Sequence, residues 1–299
     1  MYFATFIYQE KETFGVLTES KTHVILIEDV FEYIQKECPK TLMDFIEWDH
    51  KNLGVKKIKD ILEENQFAEI SLENIKLHAP IPYPKRNLFC LGKNYIDHVK
   101  EVSGLSGADD SIPKFPIYFS KVANPAIGHK DFINSHSDLT DKLDYEVELA
   151  IVIGKDGINI KPEDAQDYIF GYTIVNDISA RNIQRKHMQW FKGKSLETFC
   201  PMGPYLVHKS EIPFPIKLDI KCMVNGEVRQ NSNTKNMIFD ISHIISDLSK
   251  GMYLKAGDII ITGTPSGVGL GFTPFKFLKS GDQIDCFIEK IGTLTNFVK

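Results

Sequence analysis

Glu146 and Glu148 stand two residues apart in the stretch LDYEVELAIVIGKDG, residues 143–157. Leu143, Tyr145, Val147, Leu149 and Ile151 alternate along one face of a predicted strand, whereas Ala150 and Val152 make the opposite face apolar. Side chains two apart in a strand point the same way, so both carboxylates share that second face. Like charges placed so closely repel strongly once desolvated, and water, a raised pKa or a bound cation can relieve them. Two readings of this stretch therefore stand: a half-exposed sheet face with both glutamates in water, or two ligands of a metal ion.

Other stretches carry residue types that could share such a site. In LGKNYIDHVKE a predicted strand ends at Gly92, Asn94 could cap the following helix, and His98 and Glu101 lie three apart on one helical face. A carboxylate beside an imidazole orients it and raises its basicity, which suits a water-activating dyad; an ordinary surface ion pair has the same spacing. The next residues, SGLSGADDSIP, are rich in Gly, Ser and Asp and read as a lid that closes over a ligand. In FGYTIVNDISARNIQ an apolar run ends at Asp177, placed either to bind a ligand or to cap a helix whose opening turns carry Arg181 and Gln184. Lys192 and Lys194 flank Gly193 in FKGKSLETFCPMGP, a pattern also usual for solvated lysines. DIIITGTPSGVGLG is a strand that breaks into a glycine-rich loop; lacking G-K-[ST] and a following helix, it is neither a P-loop nor a dinucleotide fingerprint. It reads as a tight turn, or as a loop in which Thr264 and backbone amides hold a carboxylate.

The elements that must position these residues are legible in outline. With 299 residues, 42% hydrophobic and 25% charged, the chain can bury one large core and a smaller domain. Its 35 Lys and Arg against 40 Asp and Glu leave a net charge of -5, and no basic block or basic-aromatic stripe tracks a phosphate backbone, which excludes nucleic acid as the expected partner. The amino terminus MYFATFIYQEKETFG is broken by charge, so neither a membrane helix nor a signal peptide is expected there, and a cytoplasmic protein is. Five scattered cysteines form no C-x-x-C pair and read as reduced thiols. Short strands (YFATFIY, FGVLTE, THVILIE) precede helical spacing in VFEYIQKE, TLMDFIEW and VKKIKDILEENQ, which together predict a small α+β unit over residues 1–78. Pro80, Pro82 and Pro84 then force extended backbone and mark a junction near residue 79. Residues 79–299 read as a strand-rich domain, with helices in RNIQRKHMQWF and DISHIISDLSK and turns at Asn225-Gly226 and Ser280-Gly281-Asp282.

Taken in order, NYIDHVKE, YFSKVANPAIG, DYEVELAIVIG, GYTIVNDISAR, GKSLETFCPMGP, VNGEVRQ and AGDIIITGTPSGVG resemble the fumarylacetoacetate hydrolase family over about residues 87–299. The amino-terminal unit resembles the small extra domain of many bacterial members. The resemblance implies an α+β, strand-rich fold with a mixed sheet rolled into a barrel-like body, and a homodimer. It also implies that Glu146, Glu148 and Asp177 hold Mg2+ or Mn2+, hard ions that favour carboxylate oxygens. By the same carry-over His98 and Glu101 match a catalytic dyad, Lys194 a catalytic lysine, and Arg181, Gln184, Lys121 and Thr264 residues around the substrate. One departure is Asn182, where many members have aspartate. The implied substrates are short 2-oxo acids, and the expected reaction is metal-dependent cleavage of a carbon-carbon bond: decarboxylation of oxaloacetate or hydrolysis of acylpyruvates. Isomerisation or decarboxylation of hydroxy-dienedioates in aromatic-acid breakdown is the alternative within the family. A metabolite-binding regulator without turnover is the alternative outside catalysis.

Overall fold

The computed structural model describes residues 1–103, 111–123 and 125–299. Most of the predicted lid stretch, residues 104–110, thus lies outside the described residues. The amino-terminal strands Tyr2–Tyr8, Lys11–Leu17 and His23–Leu26 pair antiparallel, and the helices Leu42–Asn52 and Gly54–Glu64 follow where the apolar spacing places them. The first helix, Ile27–Tyr33, instead begins within the stretch THVILIE expected as strand and ends before the QKE of VFEYIQKE, where Gln35 has a φ of +53°. Thr41 caps the second helix by accepting from the Asp44 amide at 3.1 Å. Phe31, Phe45, Ile46 and Ile58 bury the inner faces of these helices against Phe3 and Phe14, and the same apolar cluster continues into Phe170 and Met202.

The sheet runs across the junction expected near residue 79. Tyr2 pairs with Val207 and Phe3 with Leu206, so the amino-terminal strands extend one eleven-stranded sheet. Its central path runs from Tyr2–Tyr8 through Met202–His208, Ile169–Asn176, Val147–Ile153, Ile259–Ile261 and Leu88–Gly92 to Ile117–Lys121. A second sheet of five strands orders Glu227–Asn233, Asp219–Val224, Gln283–Ile288, Gly292–Val298 and Phe132–Ile133. Asn225 and Gly226 turn the first hairpin of that sheet with φ of +51° and +79°, the left-handed pair that a tight two-residue hairpin needs. Both sheets are mixed, since Ile259–Ile261 runs parallel to Leu88–Gly92 and Gly292–Val298 parallel to Phe132–Ile133. Among the described residues neither sheet closes on itself, so the barrel-like body implied by the resemblance is built from open sheets. No described helix is long and apolar enough to cross a membrane, and all five cysteines are free.

The strand Val147–Ile153, which carries Glu148 and begins directly after Glu146, sits between two antiparallel neighbours and is buried on both faces. Val147, Leu149, Ile151 and Ile153 enter one apolar cluster, while Ala150 and Val152 enter the other. The single strand predicted over 143–153 is divided at Tyr145 and Glu146: Leu143–Asp144 pairs with Ser179–Ala180, and Val147–Ile153 with Ile169–Asn176. A side chain takes over the ladder at the break, where the Glu146 amide donates to Asn176 Oδ1 at 3.0 Å. The long helix expected in RNIQRKHMQWF is likewise divided, into Arg181–Lys186 and Phe191–Lys194, with Met188 between them at a φ of +59°.

Candidate active site

Glu146 and Glu148 are not in water: they are 5% and 1% exposed, and Asp177 is fully buried. One carboxylate oxygen from each lies within 4.8 Å of the others. Asp177 reaches this cluster from the end of the strand Ile169–Asn176, and its amide donates to the Glu146 carbonyl at 2.8 Å. It does not cap the next helix, which begins four residues later behind Ala180.

Cations neutralise the cluster from three sides. Lys194 donates to Glu146 Oε2 at 2.7 Å and to Asp177 Oδ2 at 2.5 Å, so it is a buried member of the site and not a solvated lysine. Gly193 makes this approach possible, because a Cβ there would lie 2.5 Å from the backbone nitrogen of Gln184. Arg181 bridges Asp144 Oδ2 at 2.8 Å and Glu146 Oε1 at 2.7 Å, and donates to Gln184 Oε1 at 3.1 Å. Lys121 does not line the cavity above the cluster. Fully buried, it holds Asp177 Oδ1 at 2.8 Å from behind and donates to the carbonyls of Ile178 and Lys194, which commits its ammonium to the protein itself.

The glycine-rich loop also serves the protein's own carboxylates. The Gly263 amide donates to Glu148 Oε2 and the Gly267 amide to Glu101 Oε1, both at 2.7 Å. Gly269 and Leu270 donate to the two oxygens of Asp144 at 2.6 and 3.0 Å. Gly263 has a φ of +91° and would place a Cβ 2.8 Å from Asn94 Cβ, so the loop reaches Glu148 only as glycine. Thr264 lines the cavity, but its hydroxyl donates to the Val147 carbonyl at 2.9 Å and accepts from Gln230 at 2.7 Å. Asn94, Asp144 and Gln230 fall within the resembling stretches, yet the bonds their side chains make follow only from the fold. Asn94 caps no helix: it is buried and bonds the backbone of Phe239 and Thr262. Asn182 turns away from the cluster to Thr140 and the Leu139 carbonyl.

His98 faces this cluster from the helix Ile96–Glu101. It is 7% exposed, and its Nδ1 lies 3.1 Å from Glu101 Oε2, while the other oxygen of Glu101 is fixed by Gly267. His98, Glu146, Glu148, Arg181, Gln184 and Lys194 all line one cavity of about 420 Å³, whose wall also includes Lys93 and Arg185 and the apolar side chains of Phe119, Trp190, Val102 and Leu270.

Four carboxylates (Asp144, Glu146, Glu148, Asp177) meet three cations (Lys121, Arg181, Lys194) here, so the group is one charge short of neutral. The shortfall settles on Glu148. Burial and the neighbouring charges of Asp177 and Glu146 push its pKa well up, whereas for Glu146 the attraction of Lys194, Arg181 and His98 outweighs burial and holds the pKa down. Lys194 is likewise held protonated, because Asp177 and Glu146 outweigh its burial. Three convergent carboxylate oxygens with an unbalanced negative charge fit a hard divalent cation, which would turn the net charge positive and favour an anionic ligand.

Residues 87–299 match the fumarylacetoacetate (FAA) hydrolase C-terminal family. The chain is 57% identical over 226 residues to oxaloacetate tautomerase YisK of Bacillus subtilis, covering 76% of this chain and 74% of that protein. Among solved structures it is similar to a fumarylacetoacetate hydrolase from Exiguobacterium antarcticum, with a TM-score of 0.82, 37% identity, and coverage of 100% of this chain and 99% of the other. It is also similar to a maleylpyruvate hydrolase from Sphingobium in complex with manganese(II) and pyruvate, with a TM-score of 0.77, 27% identity, and coverage of 100% and 98%. By the matched domain and by these relatives, the chain belongs to the fumarylacetoacetate hydrolase family.

Proposed function

We propose that this enzyme interconverts the keto and enol forms of a short 2-oxo diacid of the oxaloacetate type. The observation that carries the proposal is a single acid-base pair, His98 with Glu101, facing a buried carboxylate cluster across one small cavity. Tautomerisation moves one proton between C3 and the C2 oxygen, and one positioned imidazole that takes it from one atom and gives it to the other is enough for that. When bound by Glu146, Glu148 and Asp177, a magnesium or manganese ion supplies a Lewis acid that polarises the ketone and acidifies C3–H. His98 takes the proton from C3 and hands it to the oxygen of the forming enol, and the reverse transfer carries it back. Glu101, fixed by Gly267, keeps the imidazole oriented and stabilises its protonated form. Lys194 and Arg181 keep Glu146 ionised, and Phe119, Trp190 and Leu270 exclude water from the reacting carbon. The identity to an oxaloacetate tautomerase supports this substrate class.

Carbon-carbon cleavage, the reaction expected from sequence, is the second reading, favoured by the likeness to a maleylpyruvate hydrolase that holds manganese and pyruvate. The two readings separate in one assay. Purified protein with manganese is given oxaloacetate, and decay of the enol absorbance is followed beside pyruvate release in a coupled reaction. Enol decay that far outpaces pyruvate release supports the tautomerase. Equal rates assign cleavage, and no catalysis of either assigns a binding protein. A homodimer belongs to the same proposal and is checked by sedimentation.

A further inference from the structure

We infer that Arg185 is the specificity residue for the distal carboxylate of the substrate, and that the enzyme selects 2-oxo diacids over 2-oxo monoacids through it. This inference rests on the 2-oxo acid reading above. Arg181, Gln184 and Arg185 are spaced three and four apart along the helix Arg181–Lys186, so they share one face, and all three line the cavity. Arg181, at the inner end, is committed to Asp144, Glu146 and Gln184. Lys194 is shared between Glu146 and Asp177, and Lys121 lies outside the cavity. These cations hold the cluster together and leave little to offer a second anionic group, and Lys93, which also lines the cavity, is buried and already engaged.

Arg185 differs in both respects. Its side chain is exposed, and among the described residues it has no ion pair or hydrogen-bond partner. It stands four residues beyond Arg181, a rise of ~6 Å along the helix axis toward the cavity mouth. That offset matches the length of a four-carbon diacid whose oxo-carboxylate end lies at the cluster. Apolar side chains of Val102, Met188, Trp190 and Leu270 line the same cavity. A planar guanidinium with free N–H groups beside apolar walls suits bidentate capture of a carboxylate.

Malate and lactate test this directly, because they differ at the far end by one carboxylate and neither has a ketone to enolise. Binding of each to the manganese-loaded protein is measured by calorimetry for the wild type, Arg185→Gln and Arg185→Lys. The wild type should prefer malate, Arg185→Gln should lower that preference about tenfold with lactate binding unchanged, and Arg185→Lys should restore most of it. In parallel, deuterium exchange at C3 of oxaloacetate and of 2-oxobutanoate reads enolisation with and without the distal carboxylate. Absence of exchange in the wild type overturns the tautomerase reading and leaves the binding comparison to decide Arg185. A wild type that binds neither ligand, a malate preference that Arg185→Gln leaves intact, or an equal loss for both ligands overturns the inference.

Discussion

Asp144 is fully buried and accepts from four donors: the amides of Tyr145 at 3.0 Å and Gly269 at 2.6 Å on Oδ1, and Leu270 at 3.0 Å with Arg181 Nε at 2.8 Å on Oδ2. Asp144→Asn keeps the shape but replaces one acceptor oxygen by an NH2 group. Whichever way the amide turns, two of the four donors then face another donor. Losing two hydrogen bonds, in one orientation the charged bond to Arg181, and leaving that guanidinium half-paired costs about 3–5 kcal/mol. For a chain of this length the unfolding entropy at the midpoint is about 0.6 kcal/mol per degree, so Tm should fall by about 5–8 °C. The loss reaches the active site too, because Asp144 ties the glycine-rich loop to Arg181 and the same loop fixes Glu101 and Glu148. Scanning calorimetry with and without manganese, together with kcat/KM on oxaloacetate, reads both effects. A Tm within 2 °C of wild type and undiminished kcat/KM would refute the view that this carboxylate organises the site.

Three further outcomes follow from the same geometry. Saturating manganese at a hundred times its Kd should raise the wild-type Tm by about 4 °C, the equivalent of ~2.7 kcal/mol, and Glu148→Gln should abolish that rise; a rise unaltered in the variant places the ion elsewhere. His98→Ala should slow enol-keto exchange by about two to four orders of magnitude while leaving oxalate affinity within about threefold, and a loss of affinity equal to the loss of rate would make His98 a binding residue instead. His208 is held down to about 3 from 6.5 by burial, with the Met1 ammonium and Lys209 adding to it. The unfolded chain then binds the extra proton, so stability of the metal-free protein should fall as pH drops from 6.5 toward 3, and His208→Phe, which keeps the packing on Phe170, should flatten that fall between pH 7 and 5.

Local chemistry made part of this protein readable before its structure. The period of the apolar residues predicted the helices Leu42–Asn52 and Gly54–Glu64 and most of the strand that ends at Ile153, and the Asn-Gly pair predicted the turn at Asn225-Gly226, since each depends on neighbours within a few residues. The face that Glu148 takes follows from strand geometry and the His98 and Glu101 pair from helix geometry, whereas Glu146 stands in the break before the strand, where its amide is held by Asn176. What no local rule contains is how distant segments share charge and hydrogen bonds. Asp144 reads in the sequence as an ordinary acidic residue and becomes an anchor only because residues 269 and 270 return to it. The glycine-rich loop has amides to give, yet nothing in its sequence says that they go to Glu101, Glu148 and Asp144 and not to a ligand. Lys121 and Lys194 look alike as residues, and the packing puts one behind Asp177 and the other beside the cavity. Burial of the two glutamates was likewise undetermined by their own strand, because desolvation is set by the elements that cover a face, and those come from residues 94–101, 177–194 and 263–270.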